Sequence, residues 1–243
     1  MDSDGEKIKT GIKGLDMMLK GGVPSKNQVI VAGGPGSGKT LLSFEIMYRC
    51  ASAGIPSAFI AFEEQPTSLT RNAKGAFGAL KDIDELIQSN KLVIGGEELA
   101  ARMEDTTGSN ETYSFGNVVS YIEDIVMTNK AKVIAIDSIT LFKLILSSEN
   151  FVYRRSIAQL MSNLRRLDVT SFITVETPYT DKNEVKYTPE FFLFDGVIAM
   201  YQTGNNEKRS FNLEVLKMRG TEHSMYFAPY QITPSGFDIQ TLD

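Results

Sequence analysis

The chain has 243 residues, 42% hydrophobic and 23% charged, the composition of a globular protein long enough to bury a sizeable core. Twenty-five basic and 30 acidic residues leave a net charge of −5, which argues against a broad sequence-blind nucleic-acid or membrane-binding face. A single cysteine, Cys50, excludes an intramolecular disulfide and points to a reducing, cytoplasmic setting, and a single histidine excludes a His-rich zinc site. The charged stretch Met1–Lys9 is followed by no apolar signal segment, and no apolar run approaches the ~20 residues of a bilayer span.

In chain order, Val29–Ala32 reads as a buried strand running into glycines, and Leu41–Ala53 as a helix. Ala58–Phe62 is a second strand, closed by Glu63 and Glu64. Helices are expected at Ser68–Ala79 and Asp82–Gln88, then a strand at Lys91–Ile94. The polar stretch Glu97–Glu111 reads as a surface loop. Val118, Ile122, Ile125 and Val126 recur at helical spacing, and Val133–Ile136 is again an apolar strand, ending in Asp137. Ile157, Leu160, Met161, Leu164 and Leu167 mark one helix face, and Ser171–Val175 is the next strand. From Gly196 the pattern turns to strands: Val197–Tyr201, Phe211–Lys217 and short pieces to Ile239, with a hairpin turn expected at Gly204-Asn205-Asn206. Strands alternating with helices predict an α/β fold, a mostly parallel central sheet flanked by helices, with antiparallel strands added at the carboxyl end. No linker or repeat interrupts residues 1–243, which predicts one domain.

Gly33-Gly34-Pro35-Gly36-Ser37-Gly38-Lys39-Thr40 fits G-x-x-x-x-G-K-[ST] without a mismatch, between a predicted strand and a predicted helix that opens at Leu41. Such glycines let successive backbone N–H groups curl around phosphates at a helix amino terminus. Lys39 is then expected to reach the β- and γ-phosphates, and the Thr40 hydroxyl to ligate Mg²⁺. A second Mg²⁺ ligand is expected at the end of another buried strand, where Asp137 stands. Hydrolysis also needs a group to orient or deprotonate water. Glu63 and Glu64 end a strand that a parallel sheet delivers to the same rim. Glu63 is the expected principal base and a further metal-side carboxylate, with Glu64 polarising it.

These residues resemble the RecA-like P-loop ATPase superfamily and, within it, the KaiC-like family. The opening Thr10-Gly11-Ile12-Lys13-Gly14-Leu15-Asp16, with Gly21-Gly22-Val23-Pro24 after it, is similar to that family's entry signature. The Glu63-Glu64 pair resembles its catalytic glutamates, and Asp137-Ser138-Ile139-Thr140-Leu141-Phe142 its Walker B continuation. Thr174-Val175-Glu176-Thr177 resembles the strand that runs between the two Walker strands. Lys217-Met218-Arg219-Gly220-Thr221-Glu222-His223 closely resembles its K-x-R-G-x-x-H segment. The resemblance implies an ATP-hydrolysing, ring-shaped hexamer with ATP between subunits. Lys217 and Arg219 would reach the neighbour's γ-phosphate, and Met218, Thr221 and His223 would line the base and ribose. It implies a regulatory or signalling switch.

The chain also departs from the family. Phe191 and Phe192 stand where the two-domain clock protein carries its phospho-acceptor pair, so phosphorylation at those positions is excluded. Lys26 replaces a common glycine, and Ala76 a polar residue that contacts the nucleotide in relatives. An alternative is a recombination-type ATPase that binds DNA through the segments Ser138–Asn150 and Pro178–Phe194. The first holds Lys143 against Glu149, the second Lys182 and Lys186 against Asp181, Glu184 and Glu190. Neither is a basic track of the kind phosphate neutralisation needs, so nucleic acid is not the favoured partner.

Overall fold

The computed structural model describes residues 5–96, 115–140, 142, 150–177, 189–204 and 209–241. The expected surface loop at 97–111 lies outside that set, as do 205 and 206 of the expected hairpin turn.

A short antiparallel ribbon, β1 (Lys7–Ile8) with β2 (Val23–Pro24), flanks α1 (Lys13–Met18). The remaining strands form one sheet: β3 (Gln28–Gly33), β4 (Ser57–Ala61), β5 (Leu92–Gly95), β6 (Val133–Asp137), β7 (Thr170–Glu176), β8 (Gly196–Gly204), β9 (Arg209–Met218), β10 (Ala228–Thr233) and β11 (Gly236–Ile239). Their order is β11-β10-β9-β8-β3-β7-β6-β4-β5. From β5 to β8 every neighbouring pair is parallel, and β9, β10 and β11 extend the sheet antiparallel. The expected α/β class and its antiparallel extension are both present. β7 lies between β3 and β6, as the resemblance implies.

Both faces of the parallel part are buried, which explains its nearly continuous apolar runs. Alternation still decides which side chain meets which layer. Val29, Val31, Phe59, Ala61, Val133, Ala135 and Phe172 join the core under α2 (Lys39–Ser52), α3 (Pro66–Ala76) and α4 (Ile83–Gln88). Ile30, Ala32, Ile60, Ile134, Ile136 and Ile173 join the core under α5 (Phe115–Asn129) and α6 (Asn150–Arg166). By the same pleat, Asp137 and Thr174 share the α2 side with Val133, Ala135 and Phe172.

α3 begins earlier and ends earlier than the expected Ser68–Ala79. Pro66 starts it, because a proline at the first helical position loses no needed N–H. Phe77 leaves the helix with an extended backbone and packs against Phe237, ring centroids 6.2 Å apart. A 3₁₀ turn at Pro189–Phe192 was not expected. It buries Phe191 while Phe192 stays exposed. Lys26 keeps the left-handed conformation that a glycine would adopt, with φ 66°. Its side chain pairs with Asp168 at 2.7 Å on the surface. Cys50 is a core residue, and burial pushes its thiol up to about 12.

The α2 layer is keyed to the sheet by Phe44 on Phe59, centroids 5.5 Å apart, both fully buried. Phe59→Ala is expected to cost about 3–5 kcal/mol, the usual range for emptying a buried aromatic site. Urea unfolding followed by circular dichroism measures it.

Candidate functional site

In a mostly parallel sheet the carboxyl ends of the strands form one rim, where loops and helix amino termini converge. Here Gly33 ends β3 beside Glu176 of β7, and Ala61 ends β4 beside Asp137 of β6. Glu63 and Glu64 follow β4 directly, so four carboxylates and the β3–α2 loop share this rim. The Phe62 N–H donates to the Asp137 carbonyl at 2.7 Å, which ties the segment bearing the glutamates to the end of β6.

The β3–α2 loop curls because Gly36 and Gly38 adopt φ of +75° and +88°, a region that side chains disfavour. Its Gly34 carbonyl accepts from the Ser37 hydroxyl at 2.8 Å and from Lys39 Nζ at 3.0 Å. α2 starts at Lys39, so the loop hands its last peptide groups to a helix amino terminus. Lys39 is 8% exposed. Burial lowers its pKa, and attraction from Glu176, Asp137 and Glu63 opposes that drop.

Thr40 Oγ1 donates to Asp137 Oδ2 at 2.9 Å, and the Thr174 hydroxyl donates to Asp137 Oδ1. Burial raises the Asp137 pKa, the two hydroxyls and Lys39 oppose the rise, and Glu64 adds to it. The Asp137–Ser138 peptide is cis. Ser138 Oγ donates to Glu63 Oε1, and Asn72 Nδ2 donates to Glu64 Oε1. The structure therefore brings together Gly34, Pro35, Gly36, Ser37, Gly38, Lys39, Thr40 and Leu41 with Glu63, Glu64 and Asp137. No cluster of three or more His, Cys, Asp or Glu suited to a metal occurs among the described residues. A hydroxyl paired with one buried carboxylate is instead the donor set that suits Mg²⁺, which keeps most of its ligands as water and phosphate.

The Lys217–His223 segment lies elsewhere. β9 runs antiparallel to β8, so its end returns to the opposite end of the sheet. The Arg219 N–H donates to the Asp195 carbonyl, and the Asp195 N–H to the Gln28 carbonyl. Arg219 is thus level with the start of β3, about 16 Å along the strand from Gly33 at the usual rise per residue. Lys217 Nζ donates to the Phe191 carbonyl at 3.4 Å and to the Phe194 carbonyl. Its pKa is lowered by burial and by Arg219, with Asp195 opposing. Asp195 accepts from the Gln28 N–H at 3.0 Å, from Arg165 Nη2 at 3.0 Å and from Arg219 Nη1 at 3.2 Å. Thr221 Oγ1 accepts from Lys7 Nζ at 2.7 Å, and His223 Nδ1 lies 3.0 Å from the Ser224 carbonyl oxygen. Met218, expected to line the base and ribose, carries its side chain into the core. That side chain is 5% exposed and fills the space over Gly196, where a Cβ would meet it at 2.5 Å.

Sequence reasoning missed the roles of Glu176, Thr174, Ser138 and Asn72. Glu176 carried a readable signal, since it ends an apolar strand as Asp137 does. Most of the two segments weighed for DNA binding lies outside the described residues. No helix among the described residues is long and apolar enough to cross a membrane.

Removing the Asp195 carboxylate leaves the buried Gln28 N–H without its partner and frees the half-exposed Arg165 and Arg219 side chains to water. Asp195→Ala is expected to lower stability by about 1–3 kcal/mol, the cost of an unpartnered buried polar group, read by urea unfolding.

Comparison with known proteins agrees with this geometry. The family model described as "ATPase: KaiC" matches residues 8–243. The circadian clock oscillator protein KaiC 1 of Synechocystis sp. is 32% identical over 238 residues, covering 98% of this chain and 44% of that protein. KaiC of Prochlorococcus marinus subsp. pastoris is 32% identical over 240 residues, covering 98% and 45%. The chain thus spans about half the length of the curated relatives it matches. The crystal structure of a KaiC-like protein from Pyrococcus horikoshii OT3 superposes with a TM-score of 0.80 at 28% identity, covering 98% of this chain and all of that one. The chain belongs to the KaiC family of RecA-fold, nucleotide-binding ATPase domains.

Proposed function

We propose that residues 1–243 act as one ATPase domain, which binds ATP with Mg²⁺ and hydrolyses it within a homo-oligomeric ring. The ring is a hexamer with nucleotide held between subunits, and it serves as a regulatory switch. The observation that supports the chemistry is the convergence of Lys39, Thr40, Asp137 and Glu63 on one rim. Thr40 and Asp137 would hold the metal, with Glu63 on its open side, and the bound metal would neutralise phosphate charge. Lys39 adds a fixed positive charge beside the phosphates. Ser138 occupies one oxygen of Glu63, which leaves Oε2 to accept a proton from water. Glu64 is engaged by Asn72 and acts on the site through its charge.

The observation that supports a ring is the place of Lys217 and Arg219. They lie too far from their own phosphate loop to serve it. In a head-to-tail ring the same residues would face the neighbour's nucleotide, together with Thr221, His223 and the Met218 backbone. A cation supplied by a neighbour makes hydrolysis depend on assembly.

Lys39→Ala is expected to abolish Mg-ATP binding in calorimetry. Glu63→Gln is expected to retain binding and lower phosphate release by roughly 10²–10⁴-fold, the size of a general-base effect. An inactive Glu64→Gln beside an active Glu63→Gln would reverse the assignment of the pair.

The ring is tested by mixing subunits. Lys39→Ala and Arg219→Ala proteins are each expected to be inactive. Together they should regain part of the phosphate release, because some interfaces then pair a sound loop with a sound Arg219. Mixed rings without recovery would place Arg219 outside the neighbour's site.

A further inference from the structure

The carboxyl-terminal hairpin has no assigned part in the site, yet it packs directly against the phosphate loop. Tyr230, on β10, is 2% exposed and lies between Phe211 and Phe237, each ring centroid 5.5 Å away. Its hydroxyl donates to the Ser37 carbonyl oxygen at 2.5 Å. Ile232 and Phe237 close over Gly38, where a Cβ would sit 3.0 Å from Ile232 Cδ1 and 3.2 Å from Phe237 Cζ. The Phe237 N–H donates to Glu45 Oε2 at 2.7 Å, and Glu45 is held in turn by Arg49 at 2.6 Å. The hairpin is thus bolted to α2 about two turns beyond the loop that it touches.

From this geometry we infer that the Tyr230 hydroxyl is a positioning group for the phosphate loop, fixing the Ser37–Gly38 peptide for phosphate binding. A trans peptide points its N–H opposite its C=O. Drawing the Ser37 carbonyl toward β10 therefore turns the Gly38 N–H away from the hairpin, toward the loop's concave side. A hydrogen bond accepted at the carbonyl also polarises the peptide and makes its N–H a stronger donor. A packing role alone would be filled equally well by phenylalanine, whereas a buried hydroxyl costs free energy unless it has a partner. Burial raises the phenol pKa, so the group stays a donor at neutral pH. Tyr230 does not touch the reacting atoms; it acts through the loop backbone.

The inference rests on the phosphate loop binding nucleotide, as proposed above. The test compares wild type with Tyr230→Phe for Mg-ADP affinity by calorimetry, and follows the Gly38 amide ¹⁵N shift by NMR. Tyr230→Phe keeps the ring stacking. Its Kd is expected to rise roughly 5–10-fold, the loss of one hydrogen bond, with an upfield move of the Gly38 nitrogen. A folded Tyr230→Phe protein with wild-type Kd overturns the inference and leaves the ATPase reading intact. Wild-type protein that does not bind Mg-ADP overturns both. If Tyr230→Phe fails to fold, Tyr230→3,5-difluorotyrosine keeps the donor and makes it more acidic. A Kd at least twofold below wild type then supports the role, and an unchanged or higher Kd refutes it.

Discussion

Burial of the Asp137 carboxylate beneath the start of α2 is the constraint around which the rim is arranged. A carboxylate withdrawn from water is costly unless charges and donors surround it. Here Thr40 and Thr174 each donate to one oxygen, and Lys39 supplies positive charge. Desolvation still outweighs them, since the pKa lies above the ordinary value. A group left in that condition gains from a nearby cation, which is the electrostatic basis for placing a metal there. The pleat makes the arrangement possible. A one-residue slip of β6 would turn Asp137 to the α5–α6 side and an apolar residue to Thr40.

The charge pattern along the strands follows from chain direction. Parallel strands β3, β4, β6 and β7 bring Lys39, Glu63, Glu64, Asp137 and Glu176 to one end. β9 reverses and carries Lys217 and Arg219 to the other. Asp195 organises that second end, binding Arg165, Arg219 and the first residue of β3. The same strand that starts under Asp195 finishes in the phosphate loop, so a rigid element links the two ends. The hairpin adds a second link, because β10 follows the Lys217–His223 segment and reaches Ser37 through Tyr230.

Much of this was legible in the residues. The run Val133–Ile136 closed by Asp137, and the apolar strand before Gly33, are local patterns whose period and punctuation survive folding. The G-x-x-x-x-G-K-T run reports its own backbone geometry, because only glycine adopts the left-handed turns at Gly36 and Gly38 without strain. The start of α3 at Pro66 was also written locally, although the helix was expected to begin at Ser68. The burial of Met218 was not legible, because its immediate neighbours Lys217 and Arg219 are charged. Its burial depends on the absence of a side chain at Gly196, 22 positions earlier in the chain.

The sequence by itself determined the class of fold, the phosphate loop and the acids that end the strands, since each depends on residues close together in the chain. Only the tertiary structure decided which of these meet. Tyr230 bonds Ser37 across 193 residues, Thr40 bonds Asp137 across 97, and Ser138 bonds Glu63 across 75. Those contacts are set by strand order and register, which place residues side by side through the pairing of whole strands. No local period encodes a partner that distant. The antiparallel return of β9 is of the same kind: it carries Lys217 and Arg219 away from their own phosphate loop, because β8 offers its free edge in that direction.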